Sequence, residues 1–217
     1  MKQTITAQEH YDRLAEQGHG RNDAPVMQSY MTRWDGPQFY AMLGDLAGKD
    51  VLEVGIGVGR IAREVPKREC RCLTGLDISP KTIAAAQVDL ADFQNVELVL
   101  SDICAFRRDE SFDVAYSVLT FMHIEDKDIA LRNIVASLRP GGYIVLSIDH
   151  GSASLDFGRW VVQLYPWLPE QYADALAQSG CRVAPLLPLI DTWTGPNGMK
   201  SDTYGMQVAT LIKGTKE

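Results

Sequence analysis

The stretch VLEVGIGVGR, residues 51–60, decides the fold of this chain. It begins with a short run of valine and leucine, which is typical of a buried strand. Glycine then occupies every second position, at Gly55, Gly57 and Gly59. Because glycine has no Cβ, such a loop can adopt positive φ angles and let a ligand approach the backbone. We expect residues 60–65 to begin a helix whose free N–H groups suit an anionic group.

The spacing of these glycines differs from that of the dinucleotide-binding fingerprint. In G-x-G-x-x-G the third glycine allows close packing of the helix on the strand. Counted from Gly55, that position is held by Arg60. A long guanidinium side chain there argues against NAD, although the loop alone leaves open any cofactor that carries adenine.

Composition sets the broad class of the protein. With 217 residues and 46% hydrophobic content, the chain can bury one sizeable core, so we expect a single domain over residues 1–217. No uncharged apolar run of about eighteen residues occurs, which predicts no transmembrane helix and no membrane partner. The N-terminus lacks an apolar signal core, so we expect a cytoplasmic protein. A net charge of −7 disfavours nucleic acid as a partner.

The four cysteines do not form a metal-binding pattern. Cys70 and Cys72 are separated by one residue, which is not a zinc spacing, and no histidine cluster accompanies them. We therefore expect reduced, packed thiols and no metal site.

Strand and helix patterns alternate after the glycine loop, which is typical of a mostly parallel α/β sheet. The predicted strands are residues 51–54, 72–76, 96–100, 112–118, 143–148, 182–190 and 207–213. The predicted helices are residues 1–20, 26–32, one beginning at 35–37, and 79–90, 126–138 and 169–178. The sequence thus predicts a doubly wound, mostly parallel seven-stranded sheet with an N-terminal helical cap. Two prolines place residues 182–190 at the sheet edge.

Within the single domain we expect three parts with different tasks. Residues 1–48 form the helical cap, and residues 49–150 form a cofactor-binding core. Residues 151–217 complete the sheet and supply insertions on the substrate side.

Acidic residues follow the second and third predicted strands. Asp77 and Asp102 stand at those carboxyl ends, and ligands of open α/β sheets bind beside such ends, near the point where the strand order reverses. Either acid alone could be an ordinary loop residue. Together with the glycine loop, they favour a cofactor site at this edge.

Five blocks in order resemble the class I S-adenosylmethionine-dependent methyltransferases, in their small-molecule branch. The blocks are VLEVGIGVGR (51–60), GLDIS (75–79), LVLSDI (98–103), FDVAYSVLTFMHI (112–124) and LRPGGYIVLSI (138–148). No Asn/Asp-Pro-Pro-aromatic sequence follows the fourth strand, which speaks against amino-methylation of bases or glutamine. The resemblance implies a Rossmann-like fold, S-adenosyl-L-methionine as methyl donor and S-adenosyl-L-homocysteine as product.

The resemblance also implies a set of cofactor-binding residues. They are Glu53, Gly55, Gly57, Gly59, Asp77, Ile78, Ser79, Asp102, Ile103, Ser117, Val118, Tyr11 and Trp34. The glycines would admit the amino-acid end of the cofactor, with Glu53 near its ammonium group. Asp77 has two oxygens for the two ribose hydroxyls, and Asp102 suits the adenine amino group. Ser79 can equally be a simple helix cap.

The remaining implied contacts lie at the two ends of the cofactor. Ile78 would pack on the adenine face, while the backbone N–H of Ile103 would meet a ring nitrogen. Ser117 and Val118 would line the methionyl or sulfonium region. Tyr11 and Trp34, in the cap, are the aromatic candidates for shielding the sulfonium cation, although ordinary packing explains any single aromatic residue equally simply.

Methyl transfer from a sulfonium is an in-line displacement, for which the protein mainly aligns the reactants and excludes water. A base is needed only if the acceptor must lose a proton. His123 is our candidate base, and a histidine bonded to backbone at a helix start is the equal alternative. His150 is a weaker candidate.

We therefore predict a methyltransferase that acts on a small-molecule acceptor. Methylation of a protein or RNA, a non-catalytic methyltransferase-like subunit and an NAD-binding protein are the alternatives. The sequence does not indicate the acceptor, the methylated atom or the oligomeric state.

Overall fold

The computed structural model describes residues 2–18, 35–149 and 153–217. The strands are β1 (Gln3–Ile5), β2 (Asp50–Val54), β3 (Cys72–Asp77), β4 (Val96–Leu100), β5 (Phe112–Val118), β6 (Leu138–Asp149), β7 (Ser154–Asp156), β8 (Trp160–Gln163), β9 (Cys181–Val183), β10 (Leu187–Ile190) and β11 (Gln207–Lys216). The α-helices are α1 (Ala7–Glu16), α2 (Pro37–Leu43), α3 (Pro80–Asp89), α4 (Lys127–Ser137) and α5 (Pro169–Gln178). The predicted helix over residues 26–32, together with Trp34 and His150, lies outside the described residues.

An eight-stranded sheet forms the centre of the molecule, in the order β10-β11-β6-β5-β2-β3-β4, with β9 also paired to β11. The five strands from β6 to β4 are parallel to their neighbours, and β11 runs antiparallel to β6, β9 and β10. Strand order reverses around β2, because β3 lies on one side of it and β5 on the other. The doubly wound α/β fold is confirmed.

The sheet has eight strands where the sequence predicted seven. The predicted strand over residues 182–190 is divided into β9 and β10, which pair separately with β11. Pro185 lies in the break and Pro188 is the second residue of β10, and proline has no N–H to donate to a ladder. The expectation of an edge position is confirmed, since β10 ends the sheet.

Helices cover both faces of the sheet. On one face α2 and α3 pack on the sheet through Phe39, Leu43 and Ile83, and on the other α4 and α5 pack through Ile134 and Leu176. Among the described residues, no helix has both the length and the apolar character needed to cross a membrane.

The apolar face of α4 differs at one residue from the face that helical spacing predicts. Helical spacing within residues 126–138 predicts that Ile129, Ile134, Val135 and Leu138 point inward. Ile129 is instead 38% exposed, whereas Ala130 and Leu131 are fully buried. The apolar stripe of α4 therefore begins one residue later than predicted.

Strands β4 and β5 have the bounds that the sequence predicted. Strand β5 is central and covered on both faces, so it is a nearly continuous apolar run that stands out in a sequence, whereas β4 is a partly exposed edge strand. Strand β6 is longer than predicted and begins at Leu138, where its pairing with β5 shifts register between Phe112 and Val114.

The helix predicted for residues 60–65 is not a regular helix. Arg63 N–H donates to the Gly59 carbonyl at 3.0 Å, and Val65 N–H donates to Ile61 at 3.3 Å. A short 3-10 turn, Pro66–Arg68, follows at once. Proline cannot donate the next helical hydrogen bond, so the segment remains a series of turns.

A second, three-stranded sheet lies apart from the first. In it β1 runs parallel to β8, and β8 runs antiparallel to β7. Helix α1 begins at a capping box, in which Thr6 Oγ1 accepts the N–H of Glu9 at 3.2 Å. We call β1, α1, β7 and β8 the cap. Of the helix predicted over residues 1–20, only residues 7–16 are helical, and residues 3–5 form a strand that was not predicted.

Candidate functional site

The glycine loop follows β2 at the carboxyl edge of the sheet, where the strand order reverses. The N–H groups of Gly55 and Ile56 donate to the Leu76 carbonyl at 2.8 and 2.9 Å, which fastens the loop to the end of β3. Gly55 has φ of 78°. A Cβ at this residue would lie 2.0 Å from Thr120 Oγ1, so only glycine fits between the two loops.

Asp77 connects the glycine loop to the start of α3. Its Oδ2 accepts the N–H of Gly57 at 3.0 Å, and its Oδ1 accepts the N–H of Ser79 at 2.9 Å. Burial raises the pKa of this carboxyl above its ordinary value, although these backbone donors oppose the rise. Each oxygen retains a second acceptor position for a ligand hydroxyl. Ile78, the next residue, is 38% exposed.

Ser79 is fully buried and caps α3. Its Oγ accepts the N–H of Thr82 at 3.0 Å and donates to Asp12 Oδ1 at 2.6 Å. Since Asp12 belongs to α1, this bond fixes the cap beside the cofactor candidates. Lys81 forms an ion pair with Glu16 at the same junction.

Asp102 is exposed after β4, where its Oδ1 accepts the N–H of Cys104 at 2.8 Å. The side chain of Ile103 is buried in the core, so its predicted contact would involve the backbone N–H alone.

Glu53 lies beneath the glycine loop and is only 3% exposed. Tyr116 Oη donates to Glu53 Oε2 at 2.7 Å. Burial raises the pKa of the Glu53 carboxyl to about 8, and the Tyr116 bond and Arg60 counteract part of that rise. The carboxyl is therefore protonated near neutral pH without a bound ligand.

Arg60 and Asp35 form an ion pair next to this carboxyl, with Nη1 and Oδ2 2.5 Å apart. Tyr40 Oη also donates to Asp35 Oδ2, at 3.3 Å. Asp35 is 6% exposed, and its second oxygen, Oδ1, is buried without a hydrogen-bond partner.

The sequence analysis missed the role of Asp35 and Tyr116. Asp35 was assigned only to a helix start. The one available signal for Tyr116 was a tyrosine within an otherwise apolar strand, because a buried phenol needs a hydrogen-bond partner.

Ser117 and Val118 end β5 beside the loop. Ser117 Oγ donates to the Val54 carbonyl at 2.8 Å and is nearly inaccessible. Val118 is 9% exposed. Their contact with the sulfonium region stays a prediction.

The structure joins His123 and Tyr11, which the sequence analysis treated separately. His123 Nε2 lies 2.9 Å from Tyr11 Oη. Burial, with smaller contributions from His10 and Lys127, lowers the pKa of His123 to about 4, so its ring is neutral. Nδ1 of His123 is buried without a hydrogen-bond partner. The cap thus contacts the segment that follows β5.

Comparisons with known proteins point to one family. Residues 52–146 match the family described as "Methyltransferase domain". Demethylmenaquinone methyltransferase of Tropheryma whipplei (strain Twist) is 34% identical over 105 residues, which is 48% of this chain and 44% of that protein. The chain therefore spans less than half the length of this curated relative.

Two solved structures have the same fold. An S-adenosylmethionine-dependent methyltransferase from Mesorhizobium loti has a TM-score of 0.69 at 20% identity, covering 83% of this chain and 96% of its own. Phosphoethanolamine N-methyltransferase 2 of Haemonchus contortus, solved with phosphomonomethylethanolamine and S-adenosylhomocysteine, has a TM-score of 0.68 at 17% identity, covering 98% of this chain and 60% of its own.

Proposed function

We propose that the chain is an S-adenosylmethionine-dependent methyltransferase and that it transfers a methyl group from S-adenosylmethionine to a small-molecule acceptor. The match over residues 52–146 bears out the resemblance drawn from the five sequence blocks, and it supports S-adenosylmethionine as the cofactor. The proposal rests mainly on the position of Asp77. One of its carboxylate oxygens accepts a hydrogen bond from the glycine loop, and the other accepts one from the start of α3.

The residues at this edge fit the chemistry of the cofactor. Asp77 would accept hydrogen bonds from the two ribose hydroxyls, one on each oxygen. The space at Gly57 is open, with no atom within 4 Å of the place that a Cβ would take, so the loop would admit the amino-acid end. Asp102 and the N–H of Ile103 would bind adenine, and the exposed face of Ile78 would pack on its ring.

The acidic residues beneath the loop would respond to the ammonium group of the cofactor. Glu53 holds a proton near neutral pH, and a cation placed beside it would favour loss of that proton. Asp35 has one oxygen without a hydrogen-bond partner and would attract the same cation. Arg60, paired with Asp35, limits the negative charge of this cluster.

Bound S-adenosylmethionine supplies an activated methyl group on a sulfonium. Ser117 and Val118 would border that group, and the cap would exclude water from it. His123 stays our candidate for the base, with Tyr11 at its Nε2. With a pKa of about 4 in the absence of ligands, the ring would accept a proton only as the acceptor donates it.

The proposal includes the three-part division of the domain, with residues 49–150 binding the cofactor and the two flanking parts forming the acceptor side. We also propose that the enzyme is located in the cytoplasm. All four cysteines are free thiols, which supports a reducing compartment.

Calorimetry with S-adenosylmethionine, S-adenosylhomocysteine and NAD tests the proposal. We expect both adenosyl compounds to bind and NAD not to bind. Asp77→Ala should weaken adenosyl binding by more than about tenfold, because it removes charged hydrogen bonds. Asp109→Ala, an exposed carboxylate in a surface ion pair, is the control and should bind as the wild type does. Binding of NAD alone would refute the proposal.

A further inference from the structure

Lys127 is a buried lysine that the proposed mechanism does not use. It is the first residue of α4, and it is 0% exposed. Its Nζ donates to the carbonyl of Ile124 at 2.5 Å and to the carbonyl of Tyr165. The same ammonium lies 5.7 Å from the centres of the Tyr165 and Trp167 rings. Every contact of this ammonium is therefore inside the protein.

These contacts join two segments of the chain. Ile124 closes the 3-10 turn Phe121–His123, whereas Tyr165 belongs to residues 164–167, which we call the return segment because they follow the cap strand β8. A second bond runs in parallel, from the N–H of Tyr165 to the Met122 carbonyl at 2.8 Å. The turn and the return segment are thus connected on both sides of His123.

A lysine is an unfavourable choice for filling this space. Burying an ammonium group is costly, and burial lowers the pKa of Lys127 to about 8. Its position at the first turn of α4 adds to the cost, since cations are unfavourable at a helix N-terminus. An apolar side chain would avoid both penalties but could not donate to two carbonyls.

We propose that Lys127 is a positioning residue that fastens the His123 turn to the return segment and so holds the His123 ring against Tyr11. Its importance for methyl transfer rests on the proposed function, whereas the connection between the two segments does not. The charged and titratable groups that face it are Glu125 from the preceding loop, His123 from the turn and Tyr165 from the return segment.

The test compares Lys127→Met, which keeps the length of the side chain, with Lys127→Arg, which keeps the charge and the donors. Lys67→Met is the matched control, because Lys67 is exposed and forms a surface ion pair with Glu64. Chymotrypsin cleavage after Trp167 reports on the return segment, because Pro166 prevents cleavage after Tyr165. The NMR titration of the His123 ring reports on the turn.

We expect Lys127→Met to speed cleavage in the return segment by about tenfold or more, as local opening becomes easier. Its His123 ring should titrate closer to the ordinary pKa of 6.5 than to about 4, because the ring loses its buried position. Lys127→Arg should restore both readouts at least in part, and Lys67→Met should match the wild type. Wild-type cleavage and an unchanged His123 titration in a folded Lys127→Met protein would overturn the proposal.

A measurement on the wild type covers the case in which Lys127→Met does not fold. In ¹⁵N-lysine NMR, the Lys127 ammonium should exchange slowly with water and titrate near pH 8, whereas the Lys67 ammonium should exchange fast. Equally fast exchange of both ammonium groups would contradict the proposed connection through Lys127. Calorimetry with S-adenosylmethionine on the same sample reports separately on the proposed function.

Discussion

The cofactor half of the molecule and the cap contact each other through Ser79 and Asp12 but are held together in different ways. The cofactor half, residues 50–103, is built from neighbouring parallel strands and the short loops that follow them. In the cap, the Trp160 indole donates to His10 Nδ1 at 3.1 Å across a separation of 150 residues. The cofactor half is therefore determined mostly by local sequence, and the cap by contacts between distant parts of the chain.

The two regions also differ in what a substitution can disturb. In the cofactor half, backbone groups of the loop bond directly to the end of β3, so a displaced backbone changes the binding surface itself. The cap is attached to the core through side chains, such as Asp12 to Ser79 and Tyr11 to His123. We therefore expect changes in the cap to alter its own opening and to leave the sheet intact.

The largest expected effect is that of Gly55→Ala. The added Cβ would overlap the Thr120 side chain, and φ of 78° is unfavourable for alanine, so we expect a loss of more than about 3 kcal/mol. The Gly55→Ala variant should also fail to bind adenosyl compounds.

Gly48→Ala is the control, because its φ of 68° is similar and its Cβ would meet no atom within 4 Å. It should lose only about 1–2 kcal/mol. Equal losses in urea denaturation would disprove the role of the close approach.

Glu53→Gln should change the pH dependence of stability. Because burial raises the pKa of Glu53 from 4.5 to about 8, its stabilising contribution is fully present below pH 4.5 and is lost as the pH rises through 8. We expect the wild-type free energy of unfolding to fall by up to about 1.4 kcal/mol per pH unit in this window. The Glu53→Gln variant should show a flatter curve in denaturation measured from pH 5 to 9. If the wild-type and Glu53→Gln curves were parallel, the Glu53 carboxylate would instead be ionised in the folded state.

Trp160→Phe tests whether the cap opens independently. It removes the donor to His10 and should destabilise the cap by about 1–2 kcal/mol. In hydrogen exchange, amides of β1 and α1 should lose protection while those of β2 and β3 keep theirs. If the sheet lost protection equally, the cap and the core would form one cooperative unit.

The smallest effect is expected for Lys2→Ala. Lys2 Nζ pairs with Asp156 Oδ2 at 2.5 Å, and both side chains are about half exposed. Water screens such a pair, so its loss should cost no more than about 0.5 kcal/mol. A thermal denaturation scan would detect a larger value, which would mean that the ends of the cap depend on this ion pair.

The cofactor half was largely predictable from the sequence. The bounds of the edge strand β4 were correct because a run of valine and leucine is typical of a strand. In the adjoining strand β5 they were correct because a buried parallel strand is a nearly continuous apolar run. The start of α3 was correct because Ser79 and Pro80 are a helix cap and first-turn pair. These signals depend on residues within one element.

Other features depend on partners that no local pattern reveals. Glu53 and Tyr116 are 63 residues apart, and their bond counteracts part of the rise in pKa that burial causes in the carboxyl. The pairing of β1 with β8 could not be foreseen because a three-residue strand carries too little periodicity to be recognised. Lys127, within a predicted helix, gave no sign of its burial, since lysine is usually exposed.

The parallel pairing of β1 with β8 has a consequence for the order of folding. Closing a loop of about 150 residues carries an entropic penalty that nearby strands avoid, so contacts close in sequence form first. The glycine loop and its neighbouring strands can therefore assemble before the cap closes over them. During that interval the carboxyl edge of the sheet is open, and S-adenosylmethionine could bind to a folding intermediate and bias it toward the native state.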